Sequence, residues 1–197
     1  NDECLIISGG KTFRTFLKKI INLDINKFNI SLTDDRIVPL NSRLSNSGWI
    51  KNNLIKKTSN KIKLIFFPLN YMNLTFNQLL IKTNKNFNKN LKFSTLFLGV
   101  GDDGHLASIF SDVKPIIKKN NFLISKKNNE NFYRLTHTMD SLLKFKHIVL
   151  VFRGKKKTMI FKENFFDSNL KNQSYNNINV LRKLIRDYSG RLTILTN

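Results

Sequence analysis

The chain has 197 residues, of which 41% are hydrophobic, and 34 lysines and arginines against 13 acidic residues give it a formal net charge of +21. This size predicts one compact domain over residues 1–197, and apolar runs far below the roughly 20 residues of a membrane span argue against a membrane protein. The basic residues are dispersed among asparagines and form no basic helix or zinc-finger spacing, so we expect no specific nucleic-acid partner.

Apolar runs alternate with segments of helical spacing along the chain. Strands are predicted over residues 4–7, 28–32 and 62–67, from residue 96, and over 134–138, 147–152 and 192–195. Helices are predicted after residue 10, around 49–54, and over 76–83, 155–166 and 180–185, whereas residues 112–131 have an irregular, polar pattern. This alternation predicts an α/β fold with a Rossmann-like, open, mostly parallel sheet and helices on both faces.

Glycine-rich loops follow three of these strands. The segment 99–104 matches the G-x-G-x-x-G pattern of dinucleotide-binding loops. We reject that interpretation because Asp102 and Asp103 would repel a pyrophosphate. In addition, the acidic ribose partner expected about 20 residues later is missing until Glu130.

The loop after the first strand has the features of a phosphate site. Its glycines let the backbone approach a ligand closely, and the helix that opens beyond them offers unpaired N–H groups. The candidate phosphate-binding residues are Ser8, Gly9, Gly10, Lys11 and Thr12, with Arg134 and Lys157 as added positive charges. Each has a plainer alternative, since the loop fits an ordinary tight turn and the two cations fit an exposed surface.

His105 follows the strand at residue 96 and is the candidate general base, because neutral imidazole accepts a proton from water near neutral pH. Asp103 is placed to orient the imidazole and Asp34 to orient water or sugar hydroxyls, although each carboxylate also fits a helix cap. Arg36 either binds substrate, stabilises an oxyanion or pairs with Asp35.

Other kinds of site find little support in the sequence. The Gly-x-Ser-x-Gly pattern of serine hydrolases is missing, and three scattered histidines and one cysteine have no metal-ligand spacing. Cys4, His137 and His147 lie in strand-like segments and are interpreted as structural. We therefore expect direct attack by water with no metal and no cofactor, in a cytoplasmic protein.

Taken together, the loops resemble the 6-phosphogluconolactonase family, within the wider group that includes glucosamine-6-phosphate deaminase. The family patterns are SGGST, DER-x-VP with SN, LGMG-x-DGH-x-ASLF, RIT and G-x-x-K. The matching segments, in the same order, are residues 8–12, 34–39 with 45–46, 99–110, 134–136 and 154–157. The chain departs from the family at Lys11, Phe13 and Asp35, and Ser111 replaces the proline that follows ASLF. A helix and a strand normally precede the first loop in the family, and we expect this chain to lack them, either because the gene is reduced or because its start is missing.

The resemblance implies a hydrolase that converts 6-phospho-D-glucono-1,5-lactone to 6-phosphogluconate in the pentose phosphate pathway. We also expect a monomer or a weak homodimer. The first alternative is a sugar-phosphate isomerase or deaminase that uses Asp34 to move a proton between carbons. The segment 106–110 resembles the lactonase pattern ASLF rather than the deaminase pattern AFNEP, which favours the lactonase. The second alternative is a degenerate, non-catalytic basic binding protein, with RNA as one example of its ligand, and the retention of the candidate catalytic residues argues against it.

Overall fold

The computed structural model describes residues 4–10, 13–15, 17, 29–58, 73–89, 95–166 and 179–196. Its strands are β1 (Cys4–Ile7), β2 (Asn29–Leu32), β3 (Asp34–Ile37), β4 (Thr95–Gly99), β5 (Ile117–Lys119), β6 (Phe122–Ser125), β7 (Tyr133–His137), β8 (His147–Val151) and β9 (Arg191–Leu195). Its helices are α1 (Asn46–Ile50), α2 (Phe76–Lys89), α3 (Met139–Leu142), α4 (Lys155–Phe165) and α5 (Val180–Asp187). The predicted strand over residues 62–67 lies outside the described residues.

Five strands form a parallel sheet in the order β2-β1-β4-β8-β9, which confirms the predicted mostly parallel sheet. Strand β1 pairs with β2 on one side and with β4 on the other. The chain thus builds the sheet first from β1 to β2 and then, from β4 onward, in the opposite direction. Strand order therefore reverses next to β1. Ligands of open α/β sheets bind beyond the carboxyl ends of the strands at such a reversal.

Burial of the strands shows that this sheet is covered on both faces. Residues 148–151 of β8 are all buried, although successive side chains of a strand point to opposite faces. Phe13 and Leu17 are fully buried in the helical segment after β1, of which the structure describes residues 13–15 and 17. Cys4 is buried as well, which raises the pKa of its thiol and agrees with a structural role.

The second sheet has four antiparallel strands in the order β3-β7-β6-β5. The expectation that residues 112–131 are irregular is wrong, because β5 and β6 form a hairpin there. Two asparagines connect these strands, and Asn120 adopts a left-handed φ of 52°, as a two-residue hairpin turn requires. The strand predicted over 134–138 is present as β7, but it pairs with β3 and β6 instead of extending the parallel sheet.

His137 lies in an aromatic part of the core. It is fully buried, and its ring contacts Phe87, Phe122 and Phe145 while its Nδ1 lies 2.9 Å from the Ser141 hydroxyl. This burial lowers the pKa of His137 to about 3, in agreement with the predicted structural role. Within the described part of the chain, no helix combines the length and apolar character needed to cross a membrane.

Candidate active site

A cavity of about 380 Å³ lies beyond the carboxyl ends of β1 and β4. Seven of the residues predicted from the sequence line it, namely Ser8, Gly10, Asp34, Arg36, His105, Arg134 and Lys157. Gly10 and His105 therefore share one edge of the sheet, as binding of a single sugar phosphate requires. Lys11 and Thr12 lie outside the described residues, and Gly9 and Asp103 lie next to the lining residues rather than among them.

His105 and Asp103 form a hydrogen-bonded pair on the loop after β4. The imidazole Nδ1 and the backbone N–H of His105 both contact the Asp103 carboxylate. Partial burial alone would raise the pKa of Asp103, but the hydrogen bond and charge of His105 outweigh this effect and leave the pKa below its usual range. An ionised carboxylate accepts hydrogen bonds only, so Nδ1 carries the proton and Nε2 is the basic nitrogen. Nε2 makes no hydrogen bond with any described residue.

Glycine is required for the turn that presents His105. The Gly101 N–H donates to the His105 carbonyl, at 2.9 Å, and the imidazole lies directly against the Gly101 backbone. A Cβ at Gly101 would come within 2.1 Å of the ring atoms Nδ1 and Cε1, which no side chain can do without displacing the imidazole. The turn is held from outside by α5, since the Leu181 N–H donates to the Gly104 carbonyl at 3.1 Å. The Asn179 side chain also lies against Gly104.

The Asp34 carboxylate is held by two hydroxyl groups. Asp34 is the first residue of β3, separated from β2 by Thr33; it is 7% exposed and lines the cavity. The Thr33 hydroxyl donates to Oδ1 at 2.9 Å, and the Ser108 hydroxyl donates to Oδ2 at 2.5 Å. Each carboxylate oxygen keeps a further acceptor position for a ligand hydroxyl or water.

Arg134 is already neutralised within the protein. Its Nε and Nη2 both donate to the carboxylate of Glu130, and its Nη1 donates to the Ser108 hydroxyl at 3.1 Å. The guanidinium also packs against the rings of Phe110 and Phe132. Arg134 lines the cavity, but the two-point contact with Glu130 offsets its charge there.

Arg36 carries a charge that is not paired with Asp35, in contrast to one of the sequence interpretations. Its Nη1 donates to the Leu44 carbonyl and the Asn46 side chain, while its buried Nε has no hydrogen-bond partner among the described residues. The Asp35 carboxylate instead accepts the backbone N–H groups of Arg36, Asn46 and Ser47, at 2.7–2.9 Å. Asp35 thereby anchors the start of α1, and burial raises its pKa despite these hydrogen bonds. Asp35 is shorter than the glutamate of the family pattern DER, and it nevertheless reaches α1, the helix that brings Asn46 to Arg36.

Gly9, one of the phosphate-loop candidates, lies beside Asn46 on the Arg36 side of the cavity. The side chain of Asn46, which hydrogen-bonds Arg36, packs so closely on Gly9 that a Cβ there would lie 2.3 Å from its Cγ. The Ser8 hydroxyl accepts the Gly99 N–H and lies within bonding distance of the Phe97 carbonyl, which ties the end of β1 to β4.

Lys157 lies on the His105 side of the cavity. It sits in the first turn of α4, after β8 and Gly154. Partial burial lowers its pKa, and the negative charges of Asp102 and Asp103 counter that effect. Lys157 and Arg36 thus bring positive charge to the cavity from two different elements.

Sequence reasoning missed the contributions of Ser108, Glu130 and Asn46. Ser108 and Asn46 lie inside motifs quoted for the family resemblance, but no local pattern shows that their side chains contact Asp34 and Arg36. Glu130 precedes Arg134 by four residues, a spacing that predicts contact only within a helix. Both are outside helices here, so the pairing depends on the path of the chain into β7.

Comparisons with known proteins identify the family of the chain. A family model described as glucosamine-6-phosphate isomerases/6-phosphogluconolactonase matches residues 2–175. A putative 6-phosphogluconolactonase of Caenorhabditis elegans is 30% identical over 171 residues, which cover 78% of this chain and 62% of that protein. A 6-phosphogluconolactonase of Pseudomonas putida is 32% identical over 109 residues, which cover 54% of this chain and 44% of that protein. The chain therefore spans less than two thirds of the length of these two relatives.

A solved structure shows the same fold. The crystal structure of 6-phosphogluconolactonase from Thermotoga maritima aligns with a TM-score of 0.75 and 22% sequence identity. The alignment covers 100% of this chain and 86% of that one. Because the family model accounts for most of the sequence, from the strand before the first glycine loop to beyond α4, the chain belongs to the family of glucosamine-6-phosphate isomerases and 6-phosphogluconolactonases.

Proposed function

We propose that this protein hydrolyses 6-phospho-D-glucono-1,5-lactone to 6-phosphogluconate, the reaction for which its named relatives are called 6-phosphogluconolactonases. The observation that carries the proposal is the His105–Asp103 pair, whose basic Nε2 is without a partner among the described residues. His105 lines the same cavity as Gly10 and Arg36. A general base and an anion-binding side in one cavity fit a substrate with an electrophilic carbonyl and a phosphate.

In the proposed reaction, Nε2 of His105 removes a proton from water, and the resulting hydroxide attacks C1 of the lactone. The C1 carbonyl oxygen becomes an oxyanion in the tetrahedral intermediate. Collapse of this intermediate breaks the bond between C1 and the ring oxygen, and the imidazolium returns its proton to that oxygen as it leaves. Asp103 holds the correct tautomer and stabilises the imidazolium between these steps.

The two cationic sides of the cavity suggest how the substrate is oriented. We assign the phosphate to the side formed by Gly10 and Arg36, since the buried Nε of Arg36 is unpartnered among the described residues and Arg134 is offset by Glu130. Asp34 then faces the sugar hydroxyls between the phosphate and C1. Lys157 either reaches the phosphate, as expected from the sequence, or stabilises the oxyanion next to His105.

A hydrolysis assay, with the spontaneous rate subtracted, tests the proposal. We expect His105→Ala to lower kcat by roughly 10²-fold or more, the usual scale for loss of a general base. His147→Gln, which changes a histidine that contacts Thr193 on β9, is the control and should retain activity. Full activity of His105→Ala would contradict the assignment, and loss of activity on chelation would contradict attack by water without a metal.

The same assay distinguishes the two roles of Lys157. Lys157→Ala should mainly raise KM if the ammonium binds phosphate equally in the ground and transition states, and mainly lower kcat if it binds the oxyanion. The exposed neighbour Lys156 supplies the matched control, Lys156→Ala. An unchanged kcat and KM for Lys157→Ala would remove Lys157 from the site.

Isomerase or deaminase activity is the second candidate, because the family model includes such enzymes. The first glutamate after His105 is Glu130, which is bound to Arg134 and does not line the cavity. We therefore expect no turnover of glucosamine 6-phosphate. The single-domain organisation over residues 1–197, a cytoplasmic location and a monomeric or weakly dimeric state remain predictions from the sequence.

A further inference from the structure

Ser108 occupies a position that the reaction scheme does not use. It is 1% exposed and follows Ala107, a non-glycine residue with a left-handed φ of 53°. Single bridges from Leu106 to Val100 and Ile109 hold the backbone on either side of this turn. The backbone N–H of Ser108 donates to the Thr136 hydroxyl on β7, at 3.3 Å. The left-handed conformation of Ala107 is unfavourable, and it places the Ser108 hydroxyl between Asp34 on β3 and Arg134 on β7.

The hydrogen-bond directions around this hydroxyl follow from its neighbours. Arg134 can only donate, so the contact of 3.1 Å from its Nη1 uses an oxygen lone pair of Ser108. The hydroxyl hydrogen is then free to donate to Oδ2 of Asp34, at 2.5 Å. Glu130 binds the other two nitrogens of Arg134, which keeps the guanidinium from turning to Asp34 itself.

We propose that Ser108 is a positioning residue that fixes the Asp34 carboxylate at the cavity wall, with its own hydroxyl oriented by the Arg134–Glu130 pair. This inference rests on the proposed function for its effect on catalysis. Together with Thr33 on Oδ1, Ser108 holds both carboxylate oxygens and directs their remaining acceptor positions to the ligand. Without Ser108, the carboxylate gains freedom to rotate or to approach Arg134, and hydroxyls of the substrate lose a fixed acceptor.

The test is a double-mutant cycle on lactone hydrolysis. Ser108→Ala should lower kcat/KM by roughly 10-fold, because it removes one donor to Asp34 and leaves Arg134 Nη1 unpaired. In an Asp34→Asn background the same change should cost less than about 3-fold, since its effect passes through the carboxylate. Equal losses in both backgrounds would overturn the proposal, because they would show a merely structural role.

Ser125 provides the matched control. It is 3% exposed, lies opposite Arg134 in the β6–β7 pairing, and its hydroxyl has no hydrogen-bond partner among the described residues. Ser125→Ala should leave kcat/KM unchanged. If Ser108→Ala does not fold, Glu130→Gln replaces it in the cycle, because it releases Arg134 and should again act only when Asp34 is present.

Crystal structures of the wild type, Ser108→Ala and Ser125→Ala separate this inference from the proposed function. Absence of lactonase activity in the wild type would refute the proposed function but not this inference, because the crystal structures determine the position of Asp34 without substrate. The inference requires the carboxylate to move by roughly 1 Å or to rotate in Ser108→Ala, a displacement that is large on the scale of catalytic geometry, and to stay in place in Ser125→Ala. An unmoved Asp34 in Ser108→Ala would overturn it.

Discussion

Mild acid should destabilise this fold through a single buried histidine. His137 is fully buried among phenylalanine rings, and desolvation lowers its pKa from 6.5 to about 3. The unfolded chain therefore binds a proton at His137 below pH 6.5, whereas the folded chain does not until the pH approaches 3. The stability that neutral His137 contributes is complete above the unfolded pKa and is lost as the pH falls toward the folded value.

The size of the effect follows from proton linkage. Below the unfolded pKa, one such group lowers the free energy of unfolding by about 1.4 kcal/mol for each pH unit. Between about pH 7.5 and about pH 5.0, the expected loss from His137 alone is about 2 kcal/mol. Domains usually have a free energy of unfolding of about 5–15 kcal/mol, so the loss is a substantial fraction of the total stability.

Urea unfolding at the two pH values measures the loss, and His137→Phe isolates it. Phenylalanine keeps an aromatic ring in the cluster but cannot be protonated, so the variant should lack this part of the pH dependence, whatever its stability at neutral pH. Contributions of the carboxylates are common to both proteins and cancel in the comparison. An equal loss of stability in wild type and His137→Phe would refute the reasoning.

Three further predictions concern the site and the charge. Gly101→Ala should lower kcat by roughly 10²-fold, because its Cβ would displace His105. Gly99→Ala is the control and should have a far smaller effect on kcat, because its added Cβ meets nothing closer than 3.8 Å. Similar kinetics for the two variants would contradict the argument from the close contact of Gly101 and His105. Asp35→Ala should lower the free energy of unfolding in urea by about 3 kcal/mol or more, because three backbone N–H groups lose their acceptor. A loss below about 1 kcal/mol would show that water replaces the carboxylate. Binding to DNA or RNA should be weak and should vanish at physiological salt, because dispersed lysines make only diffuse phosphate contacts. A filter-binding or anisotropy titration measures this, and tight, salt-resistant binding to one RNA would refute it.

The parts of the site that follow strands could be predicted from the sequence. Gly10, His105 and Lys157 each come shortly after an apolar run, and parallel strands bring their carboxyl ends to one edge. The local pattern of apolar runs and glycines therefore contained the information needed to bring these residues to one cavity.

The second sheet could not be predicted in the same way. The hairpin of β5 and β6 contains Lys118, Lys119 and Asn120, whose polarity is typical of a loop, and its pairing with β7 depends on contacts that no local pattern shows. The choice of Glu130 rather than a phosphate as the partner of Arg134 likewise depends on how the chain enters β7. Charged residues on a sequence have no fixed partner until the tertiary structure sets the distances between them.

The contact of α5 with Gly104 has a consequence for the order in which the site is completed during synthesis. The loop that carries His105 leaves the ribosome well before Asn179 and Leu181. These two later residues support the loop through their contacts with Gly104. A nascent chain that has formed β4 therefore holds its imidazole on an unsupported turn, and the geometry is finished only when α5 docks. A premature stop before residue 179 would leave every cavity-lining residue in the polypeptide and still remove the brace behind the general base.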